Sequence, residues 1–138
     1  MATIESETPW HLRGNWAPVQ TELTAENLTV EGSIPPQLEG VYIRTGPNPK
    51  SGFSPHWFMG DGMVHGVRLS QGKAEWYRNR FVQTPNITKT GNSSTPDLGD
   101  LSYGSGNTHV VTHAGTILCL EEGHWPWKID KELNTVGF

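Results

Sequence analysis

Two alternating runs, Met63 to Leu69 and Ala74 to Val82, flank Ser70-Gln71-Gly72-Lys73. A period of two sends successive side chains to opposite faces of a strand, and a short polar gap containing Gly turns the chain back. The stretch therefore predicts a β-hairpin. The pattern recurs where Thr108 to Thr112 and Thr116 to Leu120 flank His113-Ala114-Gly115. Upstream, Val41, Tyr42 and Ile43 suit a strand entered through the rigid turn Ile34 to Gly40 and ended by Gly46-Pro47-Asn48-Pro49. A short strand is expected around Trp127 to Asp130, after Pro126. No segment keeps a helical period beyond two turns, so helix is a minor component. Meandering hairpins of this spacing suit a sandwich, a barrel or a propeller. A propeller blade takes about 40–50 residues, so this chain would supply only part of a ring.

Residues 1–30 read as an extended N-terminal arm anchored by Trp10, Trp16 and Val19, with Pro9 and Pro18 breaking helix. Residues 31–138 hold the predicted strands. Within them Thr84 to Asn107 is rich in Pro, Asn, Ser, Thr and Gly without periodicity, and reads as a long excursion loop.

With Gly 16 and Pro 10 among 138 residues the chain is turn-rich, and its mean hydropathy is −0.51. Six tryptophans and a 17% charged fraction argue against disorder. Net charge is −4, and Arg13, Arg44, Arg68, Arg78 and Arg80 form no long basic cluster, which speaks against nucleic acid as a partner. The single cysteine, Cys119, leaves no internal disulfide; it lies in the apolar run Ile117 to Leu120 and is expected to be a small buried hydrophobe. The start, Met1 to Pro9, lacks the apolar core of a secretory signal, and no apolar stretch approaches the ~20 residues that span a bilayer. A soluble, cytoplasmic protein is expected, with peripheral membrane contact left open.

Six histidines invite a metal reading. His109 and His113 have the i, i+4 spacing of a helical metal pair, but in an extended strand they stand about 13 Å apart at roughly 3.3 Å per residue. His56 and His65 bracket Gly60-Asp61-Gly62, which a tight turn between two strands explains without a ligand. His11 and His124 have no partner that spacing identifies. Neither Gly60-Asp61-Gly62 nor Gly104-Ser105-Gly106 matches a nucleotide fingerprint, and no Gly-x-Ser-x-Gly elbow occurs. Glu121 and Glu122 follow a buried-looking strand; adjacent residues point to opposite faces, so at most one is expected to face inward, and a solvated strand end explains both.

Taken together, Ile34-Pro35-x-x-Leu38-x-Gly40-x-Tyr42-x-Arg44-x-Gly46-Pro47-Asn48-Pro49, His56-Trp57-Phe58-x-Gly60-Asp61-Gly62-Met63-Val64-His65, Trp76 to Val82 with Thr84, Asn107-Thr108-His109, Leu118 to Pro126 and Leu133 to Gly137 resemble the carotenoid cleavage oxygenase family. The resemblance covers about Trp16 to Phe138. One departure is Met59, where many relatives have Asp.

The resemblance implies an all-β fold, the N-terminal part of a seven-bladed β-propeller with long loops, incomplete in this chain, occupying residues 31–138. It implies Fe(II) held by four histidines that lie outside this chain, so that none of the six histidines here is a ligand. It places Glu122 on the glutamate that accepts a hydrogen bond from the outer nitrogen of a ligand histidine; Glu121 is left as a surface or tunnel-wall residue. The activity implied is oxidative cleavage, with O2, of a conjugated carbon–carbon double bond in an apolar polyene such as an apocarotenoid, or in a stilbene. These residues alone are expected to lack iron and activity. The other reading is a non-catalytic, Trp-rich β module that binds an apolar or carbohydrate ligand.

Overall fold

The computed structural model describes residues 8–89 and 99–138; residues 1–7 of the arm and 90–98 of the long loop lie outside the described residues. Two four-stranded antiparallel sheets make up the described fold. The first contains β1 (Leu23–Glu26), β2 (Gly40–Pro47), β3 (Gly62–Ser70) and β4 (Lys73–Phe81) in the order β1-β4-β3-β2. The second runs in sequence order through β5 (His109–His113), β6 (Thr116–Leu120), β7 (Trp127–Ile129) and β8 (Thr135–Gly137). Both expected hairpins are present. Each turns on two residues with positive φ, Gln71 (48°) with Gly72 (76°) and Ala114 (47°) with Gly115 (77°). That geometry matches the twist of the flanking strands.

Alternation along the strands sorts the apolar side chains. Val64 and Val82, with Ile43 and Trp76 beside them, meet Cys119, Trp127 and Ile129 of the second sheet and Leu133 of the β7–β8 turn in the main core. Met63 and Phe81 point the other way and pack with Ile87. The Arg78 guanidinium lies over the Trp76 ring and pairs with Glu132, adding a polar link between the sheets.

Three expectations are corrected. The arm is not extended throughout: Trp10–Leu12 and Gly14–Trp16 form single 3-10 turns, and Leu23–Glu26 joins the first sheet beside β4. A four-residue edge strand carries too short a pattern to read; distant side chains hold it. Asn79 accepts from Leu23 N (2.7 Å) and donates to Thr21 O (3.0 Å), while Glu22 accepts from Phe81 N (2.8 Å). The long loop contains a one-turn helix α1 (Pro85–Lys89) and a 3-10 turn at Leu101–Tyr103, the latter capped by the Asp100 carboxylate on Ser102 N. One turn is below the reach of periodicity. Finally, Gly60-Asp61-Gly62 is the closing point of the loop from Asn48 to Asp61 rather than a tight hairpin. Asp61 O accepts from Asn48 N (2.7 Å) and its carboxylate from Lys50 N (2.9 Å).

The strip Gly104-Ser105-Gly106-Asn107 is wedged between the sheets. Trp127 Nε1 donates to Gly104 O (2.7 Å), Thr45 Oγ1 to Gly106 O (3.0 Å) and Asn107 Nδ2 to Gly60 O (2.9 Å). A Cβ at Gly62 would lie 2.3 Å from Ser105 O, whereas one at Gly46 would meet nothing within 4 Å. Gly62→Ala is therefore expected to cost about 1–3 kcal/mol through forced backbone displacement, and Gly46→Ala far less. Urea denaturation of the two variants measures this; equal midpoints would contradict the close approach.

Candidate functional site

The arm crosses the C-terminal end of β2 and borders a half-open cavity of about 620 Å³. Trp16 to Val19 of the arm form one wall, Trp57 and Phe58 of the β2–β3 loop a second, and Arg44 to Pro49 with His65 the floor. Asn107, Thr108 and Glu122 line a further side. The arm is fixed at two points. His11 Nε2 lies 3.2 Å from Ser54 O, and Asn48 both accepts from Val19 N (2.7 Å) and donates to Val19 O (2.8 Å). An amide side chain carries an NH2 donor beside a carbonyl acceptor, so Asn48 pairs with the arm as a neighbouring strand would.

Glu121 and Glu122 diverge just past the end of β6. Glu122 reaches the cavity, where its Oε2 accepts from Thr108 Oγ1 at 3.1 Å. Glu121 turns away from the cavity and is partly buried. Its carboxylate pairs with His124 Nδ1 and accepts from Gly123 N (3.0 Å), and its side chain is 15% exposed against 1% for His124. The i, i+3 spacing of Glu121 and His124 was visible, but strand geometry gave no reason to join them; the turn after β6 does. Gly104 makes room for this pair, since a Cβ there would lie 2.6 Å from His124 Cβ.

The other histidines are dispersed. His109 and His113 stand at the two ends of β5, both exposed. His56 Nδ1 accepts from Phe58 N (3.1 Å), capping the turn in which Met59 N bonds to His56 O. With Met59 in that turn, Asp61 is the carboxylate that ties the loop. Among the described residues no group of three or more His, Cys, Asp or Glu side chains is placed to hold a metal ion.

His65 on β3 shares a 2.8 Å hydrogen bond between Nδ1 and the Tyr77 hydroxyl, a contact that needs strand register to be seen. Burial, reinforced by the Arg44 guanidinium, lowers its pKa to about 4. Burial also raises the carboxyl of Asp61, against the pull of the Lys50 N–H, and pushes the Cys119 thiol up to about 12, as suits the buried hydrophobe expected there.

A match to the family described as Retinal pigment epithelial membrane protein extends over residues 16–138. The chain belongs to this family, that of the carotenoid cleavage oxygenases. The carotenoid cleavage oxygenase of Mycobacterium tuberculosis is 47% identical over 142 residues, covering 96% of this chain and 28% of that protein. Carotenoid 9,10(9',10')-cleavage dioxygenase 1 of Phaseolus vulgaris is 37% identical, covering 96% of this chain and 31% of its own length. Among solved structures, the lignostilbene dioxygenase of Pseudomonas brassicacearum superposes with a TM-score of 0.75 at 30% identity, over 95% of this chain and 30% of that one. The chain thus spans a little under a third of these oxygenases. Among the described residues no helix is long and apolar enough to cross a membrane.

The neutral His65 gives the chain a pH signature. The unfolded imidazole takes a proton near pH 6.5 and the folded one only near 4. Between those values the unfolded state binds more protons, so stability is complete above about 6.5 and falls as pH drops toward 4. His65→Gln is expected to flatten that fall. Denaturation at pH 7 and pH 5 tests it, and equal losses in parent and variant would rule it out.

Proposed function

We propose that this chain is the N-terminal portion of a non-haem Fe(II) dioxygenase that cleaves a conjugated carbon–carbon double bond of an apocarotenoid or stilbene-type substrate with O2. Family membership over residues 16–138 supports the class, and the activities of the relatives support alkene cleavage. The observation that carries the reading to a residue is Glu122. Its carboxylate lies in the cavity wall with one oxygen held by Thr108, and Oε1 makes no hydrogen bond among the described residues. A carboxylate oriented on one side and open on the other fits the outer N–H of a metal-bound imidazole.

In this reading the two packed sheets are parts of a seven-bladed propeller, and the histidines that hold iron are supplied by polypeptide beyond these residues. When bound, Fe(II) supplies the activation of O2. The chain's own contribution is placement. Glu122 would fix the tautomer and orientation of a ligand histidine, with Thr108 fixing Glu122. Trp16, Pro18, Val19, Trp57 and Phe58 would offer an apolar wall to a conjugated substrate and displace water from it. His65, uncharged above about pH 4, adds no cationic competitor to that wall.

Glu122→Gln in the full-length protein replaces one possible acceptor oxygen with a donor amide. Iron affinity and turnover are expected to fall by about 10–100-fold, the usual weight of such a partner. Metal analysis after dialysis against a chelator, with steady-state turnover, measures both; unchanged values would remove Glu122 from the role. The 138 residues on their own are expected to retain no stoichiometric iron. Tight one-to-one iron on the isolated chain would refute the placement of the ligands outside it.

A further inference from the structure

The aromatic wall of the cavity has a definite shape. The Trp16 and Trp57 rings stand 5.2 Å apart at 82°, so one ring presents its face where the other presents its edge. Trp10 closes the same group from behind, 5.1 Å from Trp57 and 6.1 Å from Trp16. Trp16 is nonetheless 54% exposed and Trp57 40% exposed, and both line the cavity. The arm that carries Trp16 is tethered on both sides of it. Trp16 lies between two tethers of the arm, His11 on Ser54 and Val19 on Asn48, and Ser54 and Asn48 are themselves buried.

From this geometry we propose that Trp16 and Trp57 form a fixed perpendicular corner that selects a flat aryl end on the alkene substrate and disfavours a puckered, methyl-substituted cyclohexenyl end. The inference rests on the dioxygenase reading and narrows its substrate class toward stilbene-type alkenes. A planar aryl ring stacks on one indole face while its edge meets the other ring, the two arrangements aromatic pairs favour. A ring bearing geminal methyl groups can do neither without displacing Trp16, whose arm is tethered on both sides.

The test is equilibrium binding to metal-free full-length protein, which needs no turnover, using trans-stilbene and all-trans-retinal as probes. The parent is expected to favour trans-stilbene. Trp16→Ala should shift the stilbene-to-retinal affinity ratio toward retinal by about tenfold, the weight of one aromatic stacking contact, while Trp16→Phe keeps most of the preference. Trp57→Ala, on the loop rather than the arm, should shift the ratio the same way. If both probes bind and neither alanine variant moves the ratio by more than about twofold, the corner is not the selector and the dioxygenase reading stands. If the parent binds neither probe, the substrate reading falls and the corner falls with it.

Discussion

The contact on which this architecture depends is the approach of Gly62 to the backbone of Ser105 and Gly106. At that point the first sheet, the interposed strip and the second sheet come together with no side chain between β3 and the strip. The side of the cavity that carries Asn107, Thr108 and Glu122 is set from there. Thr45 bonds to Gly106 O, Asn107 reaches across to Gly60 O and Phe58 O, and Thr108 leaves the strip in position to hold Glu122. A methyl group at Gly62 would push the strip outward and carry Asn107, Thr108 and their partners with it. Gly62 therefore serves the packing of two sheets, while Gly60, close against Asn48 and Pro49, and Asp61 serve the loop that makes one cavity wall.

A second theme is the use of side-chain amides where backbone pairing is unavailable. Asn48 pairs with Val19, Asn79 with Thr21 and Leu23, and Asn107 with Phe58 and Gly60. Each joins segments far apart in sequence and satisfies peptide groups that would otherwise be left in a partly buried setting. Asn79 is fully buried, so losing its amide would strand polar backbone at the start of β1. Hydrogen bonds of this kind add modest net stability each, yet leaving their partners unmet is costly. The arm is thus held by directional polar contacts more than by apolar burial.

How much was legible follows from which forces act locally. The hairpins of β3–β4 and β5–β6 were readable because alternation and turn chemistry are local, and the burial of Cys119 was readable from its apolar neighbours. β1, β8 and α1 were not, because three to five residues hold no period and distant partners fix them. The same divide runs through the site. Glu122 was reached through family resemblance, and its contact with Thr108 spans an entire hairpin. The His65–Tyr77 bond requires strand register. The pairing of Glu121 with His124 lies within four residues, yet the two-faced logic of an extended strand hid it, since the chain has already left the strand at Glu121.

Cys119 has a consequence of its own. It is the only thiol in the chain, fully buried at the seam between the sheets, and its Cβ is among the atoms nearest to where a side chain at Gly106 would begin. With its pKa pushed to about 12 it holds almost no thiolate near neutrality, and closed packing denies reagents a path to it. Its reactivity is therefore a gauge of separation. A thiol reagent that labels Cys119 has met a molecule whose two sheets had parted around the glycine strip, and the rate of labelling counts how often that happens.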